Sequence, residues 1–235
     1  MRQLNEDAYC EHIAEGIWCV ADGMGGHEAG EVASRMVVDA ISQVVSSSAK
    51  GGDLEHKVAL IQDAIQGVNT LLTVERTQSP NGGVMGSTVV ALVVHEEECA
   101  CVWAGDSRLY LFRDKGLYQL SKDHSVVQEL MDKEVIAPAD VDSHPQRHVI
   151  TRAVGAHMKL ELDYLAFDLL PGDVMLMCSD GLHSELSAEN IMAVLATEED
   201  CHNKATRLVE SVLSGPARDN VTVSVIAVGL DPIAE

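Results

Sequence analysis

The sequence predicts an α+β fold in which helices lie on the outside of antiparallel β-sheets. Several stretches carry apolar residues at the three- and four-residue spacings of a helix face. Short apolar runs lie between them, and some are joined by turns too short to hold a crossover helix. Because the helices fall into an early pair and a late pair, we expect them to cover the outer faces of the sheets.

The first helix pair is predicted over residues 28–45 and 54–72, with Gly51, Gly52 and Asp53 between the two helices. Glycine commonly ends a helix and aspartate commonly caps the next one, so an antiparallel pair is expected. The second helix has the clearest pattern, formed by Leu54, Val58, Ile61, Ile65, Val68 and Leu72. The late pair is predicted over residues 188–196 and 201–213.

Strands are predicted from short apolar or alternating runs, which cover residues 16–21, 87–95, 100–104, 108–113, 173–178 and 221–228. Two of these runs are joined only by Gly105, Asp106 and Ser107. A connection this short favours antiparallel pairing of the strands on either side of it.

Composition and charge exclude several classes of protein. The 37 acidic residues outnumber the 16 basic residues, which gives a formal net charge of −21 that would repel nucleic acids and anionic membranes. No apolar run approaches the ~20 residues of a membrane span, and no secretory signal is visible. The six cysteines lack zinc-site spacing and are expected to be reduced. A cytoplasmic protein without nucleic-acid or membrane partners is therefore expected.

Acidic residues recur at the ends of the predicted strands, at Asp22, Asp106, Asp180 and Asp219. A single Asp-Gly step most often marks only a turn. Strand ends can converge at one edge of a sheet system, however, and carboxylates gathered there must take up protons or hold cations. Hard divalent ions such as Mg²⁺ and Mn²⁺ prefer such oxygen ligands.

Residues near these strand ends could complete a site for phosphoryl chemistry. Two hard cations about 3.5–4 Å apart can share a bridging hydroxide and clamp a phosphoryl group. Glu6 and Asp7 add two carboxylates, and the glycines of 23–26 would allow a peptide carbonyl to join the ligands. Arg2 could bind phosphate oxygens through its planar guanidinium, although a terminal arginine is more often a frayed surface residue.

Ordered motifs then extend over nearly the whole chain. They include Asn5-Glu6-Asp7, Ala21-Asp22-Gly23-Met24-Gly25-Gly26, Gly86-Ser87-Thr88, Ala104-Gly105-Asp106-Ser107-Arg108, Asp123-His124-Ser125, Ile150-Thr151-Arg152-Ala153, Ser179-Asp180-Gly181 and Asp219-Asn220-Val221-Thr222. In this order they resemble the metal-dependent serine/threonine phosphatases of the protein phosphatase 2C family, most closely its bacterial branch. The resemblance implies one catalytic domain over residues 1–235, a four-layer α-β-β-α sandwich, and a flap over about 126–147.

The resemblance also implies a metal centre with two Mn²⁺ or Mg²⁺ ions. Asp22 would bridge both ions, and Asp180 and Asp219 would complete one of them. Glu6 and the carbonyl of Gly23 would serve the other ion.

Further roles follow from the same resemblance. Asp7 would order a metal-bound water, Arg2 would grip the phosphate, and Asp106 would hold a third, weaker ion. Ser184 stands where many relatives have an acidic metal ligand, which leaves occupancy of the third site open. Met24 replaces a histidine thought to protonate the leaving group in animal members, and a thioether cannot do so.

The predicted activity is hydrolysis of phosphoserine and phosphothreonine in proteins, with a serine/threonine kinase and its targets as partners. Two alternatives remain open. One is a phosphatase-like binding module without turnover, which the intact Glu6, Asp22, Asp180 and Asp219 disfavour. The other is a two-metal phosphodiesterase, which the −21 charge disfavours for a polyanionic substrate.

Overall fold

Two antiparallel β-sheets lie face to face at the centre of the computed structural model, which describes residues 4–25, 29–48, 51–78, 85–141 and 143–229. The first sheet contains β1 (Asp7–His12), β2 (Ile17–Gly25), β3 (Met85–Ser87), β4 (Val89–His95), β5 (Glu98–Ala104) and β8 (Asp163–Asp168). Its order is β1-β2-β4-β5-β8, and β3 pairs with the second half of β2. The second sheet contains β6 (Arg108–Arg113), β7 (Gly116–Gln119), β9 (Val174–Cys178) and β10 (Val223–Ala227), in the order β10-β9-β6-β7.

Helices cover both outer faces of this pair of sheets. The first sheet is covered by α1 (Ala29–Ser48) and α2 (Leu54–Gln78), and the second by α4 (Asp180–His183), α5 (Ala188–Leu195) and α6 (Cys201–Leu213). A further helix, α3 (Val126–Asp132), begins after Ser125, whose hydroxyl accepts a hydrogen bond from the Gln128 amide at 3.3 Å. Asp200 caps α6 in the same way through the Asn203 amide at 2.8 Å.

The core consists of three apolar layers, one between each neighbouring pair of structural layers. Representative buried residues are Ile41 and Ile61 under the first helix pair, Leu92 and Met177 between the sheets, and Leu176 and Leu208 under the late helices. The arrangement is therefore helix–sheet–sheet–helix, and the predicted fold class is confirmed.

All four predicted helices and all six predicted strands are present, with changes at their ends. The second helix continues to Gln78 instead of ending at residue 72. The last strand begins at Val223 rather than at residue 221, because the Thr222 amide donates to the Ser179 hydroxyl at 3.0 Å. Five further elements were not predicted from the sequence, namely β1, β7, β8, α3 and α4.

The expected pairing across Gly105-Asp106-Ser107 is wrong. β5 pairs with β4 and β8, whereas β6 pairs with β7 and β9 in the other sheet. Gly105 has a φ of +113°, a conformation that side-chain-bearing residues rarely adopt. The short turn therefore carries the chain from one sheet to the other, and Asp106 lies at this crossing.

Two expectations about the chain as a whole can be compared with the structure. Within the described ranges, none of the helices has both the length and the hydrophobicity needed to traverse a lipid bilayer. All six cysteines are free thiols, as predicted. Cys99 and Cys101 both face the layer between the sheets.

Candidate metal centre

A cavity of about 870 Å³ opens where β2, β5 and β9 end. All six residues predicted to bind metal line it, namely Glu6, Asp22, Gly23, Asp106, Asp180 and Asp219. Asp7 is buried in the protein interior and is not among the described residues that line this cavity. Arg2 lies outside the described residues. The fold thus brings six widely separated positions of the sequence to one opening.

Thr88 fixes the position of Asp22. The Asp22 amide donates to Thr88 Oγ1 at 3.0 Å, and the Thr88 amide donates to the Asp22 carbonyl at 2.8 Å. The same Thr88 hydroxyl lies 2.7 Å from the hydroxyl of Ser107. Because Ser107 follows Asp106, one threonine connects the strand that carries Asp22 to the turn that carries Asp106.

Close backbone contacts join Glu6 to Gly23. The Gly23 amide donates to the Glu6 carbonyl at 2.9 Å, and the Glu6 amide donates to Asn220 Oδ1 at 3.0 Å. A Cβ atom on Gly23 would collide with the carbonyl of Gly30, and one on Gly30 would collide with the Glu6 carboxylate. Glycine at both positions therefore allows the first turn of α1 to pass directly beside the cavity.

Gly181 has a comparable role beside Asp180. A Cβ atom there would collide with the carbonyl oxygen of Asn220. Its φ is not in the left-handed region, so this Asp-Gly step is not explained by turn conformation. Glycine is needed because the start of α4 packs against the Asp219-Asn220 backbone, and this contact brings Asp180 and Asp219 to the same cavity.

The carboxylate of Asp7 lies behind the cavity and connects the two sheets. Its Oδ2 accepts hydrogen bonds from Ser179 Oγ and Thr222 Oγ1, both at 2.8 Å. Burial raises the pKa of Asp7, the two hydroxyl donors act in the opposite direction, and the nearby charges of Asp180 and Asp219 raise the pKa further.

The cavity carboxylates repel one another. Burial raises the pKa of Asp22 well above its usual value, and the negative charges of Asp7 and Asp180 add to the rise. Burial also raises the pKa of Asp106 to about 7, with Asp180 again contributing. Such groups must either take up protons or remain ionised with bound cations that compensate their charge.

The donors present fit hard divalent cations. Every predicted ligand offers carboxylate or carbonyl oxygen, which Mg²⁺ and Mn²⁺ prefer. In the described part of the chain, no three His, Cys, Asp or Glu side chains form a ready-made cage for one ion. Ions of this kind retain water and need only one or two carboxylates each, so donors spread around an open cavity are compatible with them.

Several residues that position the carboxylates had not been predicted from the sequence to have a role in the site. Arg108 lines the cavity and binds Asp123 through two hydrogen bonds, of 2.8 and 2.6 Å, while a third reaches the Tyr110 hydroxyl at 2.8 Å. His183 Nε2 lies 3.0 Å from the Asp106 carbonyl. Their positions in the sequence could have indicated such a role, because they lie within or next to the motifs that carry the predicted metal ligands. The full set is Thr88, Arg108, Asp123, Ser179, His183, Asn220 and Thr222.

The rest of the cavity wall differs in chemistry from the carboxylate end. Met24 and Ser184 both line the cavity. The two positions at which the sequence was found to differ from the family pattern therefore border the same space as the carboxylates. The predicted flap contributes α3 and the turns after it. Apolar and basic wall residues are Val127, Met131, Val141, Arg147, Ile150, Leu186 and Arg218.

Comparison with known proteins places these features in a family. The family model described as Protein phosphatase 2C matches residues 2–212. The serine/threonine protein phosphatase PstP of Mycobacterium tuberculosis is 38% identical over 225 residues, which cover 96% of this chain and 42% of PstP. The chain thus spans less than half the length of that relative. The phosphatase Stp of Listeria innocua is 34% identical over 231 residues, which cover 96% of this chain and 91% of Stp.

The fold matches solved structures as well. A crystal structure of the catalytic domain of PstP in complex with two manganese ions aligns with a TM-score of 0.83 at 35% identity. The alignment covers 96% of this chain and 92% of that domain. A family model that matches most of the chain, relatives above 30% identity and a shared fold all agree. The chain belongs to the protein phosphatase 2C family.

Proposed function

We propose that this protein is a metal-dependent serine/threonine protein phosphatase that hydrolyses phosphoserine and phosphothreonine in proteins. The observation that carries the proposal is the set of oxygen donors at one cavity, to which Glu6, Asp22, Asp106, Asp180 and Asp219 contribute carboxylates. Burial and neighbouring negative charges raise the pKa of Asp22 and Asp106 within this set. The catalytic domain of PstP, bound to two manganese ions, has the same fold.

The proposed metal ligands are those implied by the resemblance to the family. Asp22 would contribute to holding both ions, Asp180 and Asp219 would hold one, and Glu6 with the Gly23 carbonyl would hold the other. When bound, two such ions activate a water for in-line attack on phosphorus and neutralise the phosphoryl oxygens. The chain's own contribution is to fix these oxygen donors on strand ends, so that little reorganisation is needed during the reaction.

The remaining residues have supporting roles in the proposal. Asp7 orients a water at the ions, a role consistent with its fixed carboxylate. Arg2 binds the phosphate, and Asp106 contributes to a third, weaker ion site. Residues 1–235 form one catalytic domain, and residues 126–147 form a flap beside the cavity.

The substrate and the setting are proposed at a coarser level. The substrates are phosphoproteins in the cytoplasm. They are the targets of a serine/threonine kinase, so that kinase and its targets are the proposed partners. The relatives PstP and Stp are named as serine/threonine phosphatases, which supports this substrate class.

The test combines activity with metal binding. The purified protein should release phosphate from an aryl phosphate and from a phosphothreonine peptide when Mn²⁺ is present, and excess chelator should abolish release. Asp22→Asn and Asp180→Asn should lose activity, whereas Asp63→Asn on the exposed face of α2 serves as the matched control. A rise in Tm on addition of Mn²⁺ gives a readout that does not depend on turnover.

Three outcomes would contradict the proposal. Activity that survives excess chelator rejects the metal-dependent mechanism. Mn²⁺ binding without turnover supports the non-catalytic binding module. Faster cleavage of a bis-aryl phosphodiester than of the phosphopeptide supports the phosphodiesterase.

A further inference from the structure

One histidine binds both backbone polar groups of Gly105, the residue immediately before Asp106. The Gly105 amide donates to His124 Nδ1 at 3.1 Å, and the His124 amide donates to the Gly105 carbonyl at 2.9 Å. Gly105 is also the residue whose φ of +113° turns the chain between the sheets. Both backbone hydrogen bonds of the residue that turns the chain towards Asp106 are therefore made to His124.

The imidazole of His124 is itself held in one orientation. Because Nδ1 accepts the amide hydrogen bond, the ring proton must reside on Nε2. Nε2 lies 3.2 Å from Asp163 Oδ2, and Arg152 Nη1 binds the other carboxylate oxygen of Asp163. The ring also lies nearly parallel to the Trp103 indole, at 10° with centroids 6.3 Å apart. The Nδ1 hydrogen bond thus sets the tautomer. The nearby Asp163 carboxylate and the Trp103 ring are compatible with the same orientation of the imidazole.

His124 is buried and does not belong to the described residues that line the cavity. Its influence on the site is therefore indirect, and its two hydrogen bonds to Gly105 are the contacts that connect it to the Asp106 turn. The turn has two further supports, the Ser107 hydroxyl 2.7 Å from Thr88 Oγ1 and His183 Nε2 at 3.0 Å from the Asp106 carbonyl. Loss of the His124 contact should therefore displace the Asp106 turn without unfolding it.

We propose that His124 is a positioning residue that sets the Asp106 carboxylate at the metal centre, through an Nδ1 that accepts the Gly105 amide and an Nε2 that faces Asp163. The proposal rests on the proposed function, because positioning of Asp106 affects Mn²⁺ only if Asp106 contributes to ion binding. The same residues would otherwise form a buried histidine network that only stabilises the fold. The two roles differ in what they predict for metal binding.

The first experiment is a double-mutant cycle on Mn²⁺ binding, measured by calorimetry with the full chain. His124→Phe keeps a flat ring against Trp103 but leaves the Gly105 amide without its acceptor, and Asp106→Asn removes the charge that binds the ion. Each single variant should weaken the same Mn²⁺-binding step by about 10–100-fold, the usual effect of removing a supporting group. The double variant should bind no more weakly than Asp106→Asn alone.

Two further variants separate positioning from general stability. His124→Asn can place an amide oxygen near the position of Nδ1, so it should recover most of the Mn²⁺ affinity lost in His124→Phe. His202→Phe, on the exposed face of α6, is the matched control and should bind Mn²⁺ like the wild type. Additive losses in the cycle, or wild-type Mn²⁺ affinity in a folded His124→Phe, would overturn the proposal.

A spectroscopic measurement on the wild type needs no variant and covers the case in which His124→Phe fails to fold. In ¹⁵N spectra of histidine-labelled protein, His124 should appear as the Nε2–H tautomer with an unprotonated Nδ1. The opposite tautomer would overturn the proposal. Failure of the proposed function would look different, since it would be seen in the wild type as the absence of Mn²⁺-dependent phosphate release from the phosphopeptide, whatever the tautomer of His124.

Discussion

At the scale of single residues, two hydroxyl groups decide where the Asp7 carboxylate lies. Ser179 and Thr222 both donate to Asp7 Oδ2 at 2.8 Å, and they come from the ends of two strands of the other sheet. Without them the buried carboxylate would lose the donors that lower its pKa, and burial with the charges of Asp180 and Asp219 would favour its protonated form.

The first prediction tests these donors. Thr222→Val keeps the side-chain shape but removes one donor, and it should lower kcat at saturating Mn²⁺ by about 10–100-fold. Thr70→Val, on the exposed side of α2, should leave kcat unchanged and serves as the control. An unchanged kcat in Thr222→Val would show that the orientation of Asp7 does not matter for turnover.

The second prediction concerns the pH dependence of stability in the metal-free protein. Burial raises the pKa of Asp106 from its ordinary 3.8 to about 7. The folded state therefore binds this proton more tightly than the unfolded state. The stabilisation is complete below pH ~4 and is lost as the pH rises towards 7. Above pH 7 the buried carboxylate is ionised and destabilises the fold.

Asp106→Asn should therefore raise the Tm of the chelator-treated protein at pH 8. We expect a gain of at least ~1 kcal/mol in the free energy of unfolding, or about 2–4 °C for a chain of this size. The gain should shrink towards pH 5, as thermal unfolding across this pH range would show. A lower Tm for the variant at pH 8 would contradict the burial argument.

The acidic residues of the site could be predicted from the sequence more readily than the residues that hold them in place. Carboxylates at converging strand ends repel one another unless cations or protons are bound. Asp22, Asp106 and Asp180 could therefore be recognised as a candidate cation site. Thr88 and Thr222 carry no such signal, because a hydroxyl beside a strand end is ordinary until the fold shows which carboxylate or amide it meets. Their roles depend on contacts between residues far apart in sequence.

At the scale of elements, the approach of α4 to the Asp219-Asn220 segment depends on the lack of a side chain at Gly181. Gly181→Ala should separate Asp180 from Asp219 and weaken Mn²⁺ binding by at least ~10-fold, by analogy with loss of a supporting group. The measurement is a Mn²⁺ titration followed by calorimetry.

A matched glycine in α2 controls for the substitution itself. A Cβ on Gly67 would meet nothing within 4 Å, and the residue lies inside a helix. Gly67→Ala should therefore stabilise the protein by about 1 kcal/mol without changing Mn²⁺ affinity. Equal Mn²⁺ affinities for the two alanine variants would show that the close approach of α4 is not needed for metal binding.

The elements that the sequence predicts correctly are those with one continuous buried face. The helix periodicity of α2 and the apolar runs of β4 and β9 leave little choice of structure. β1 and β8 are edge strands of the first sheet. Apart from Asp7, their residues are at most partly buried, so the sequence of each strand lacks a clear apolar run. The crossing from β5 to β6 could not be inferred from local spacing, because the same short turn serves a hairpin or a change of sheet.

At the scale of the whole molecule, the net charge of −21 should influence which phosphoproteins reach the cavity. A negative field attracts cationic substrates and repels anionic ones, and salt screens both effects over a Debye length of about 8 Å at physiological ionic strength. Two phosphothreonine peptides, one flanked by Lys and Arg and the other by Asp and Glu, should therefore respond oppositely to salt.

Between low and high ionic strength, kcat/KM should fall roughly tenfold for the basic peptide and rise for the acidic one. Steady-state phosphate release at fixed Mn²⁺ measures both values, and a peptide with uncharged flanks corrects for effects of salt on the metal centre. Reversed responses, in which kcat/KM falls with salt for the acidic peptide and rises for the basic one, would mean that the basic wall residues Arg108, Arg147 and Arg218 set the local field at the cavity instead of the net charge. The sign of the salt response therefore distinguishes a global electrostatic preference from a local one.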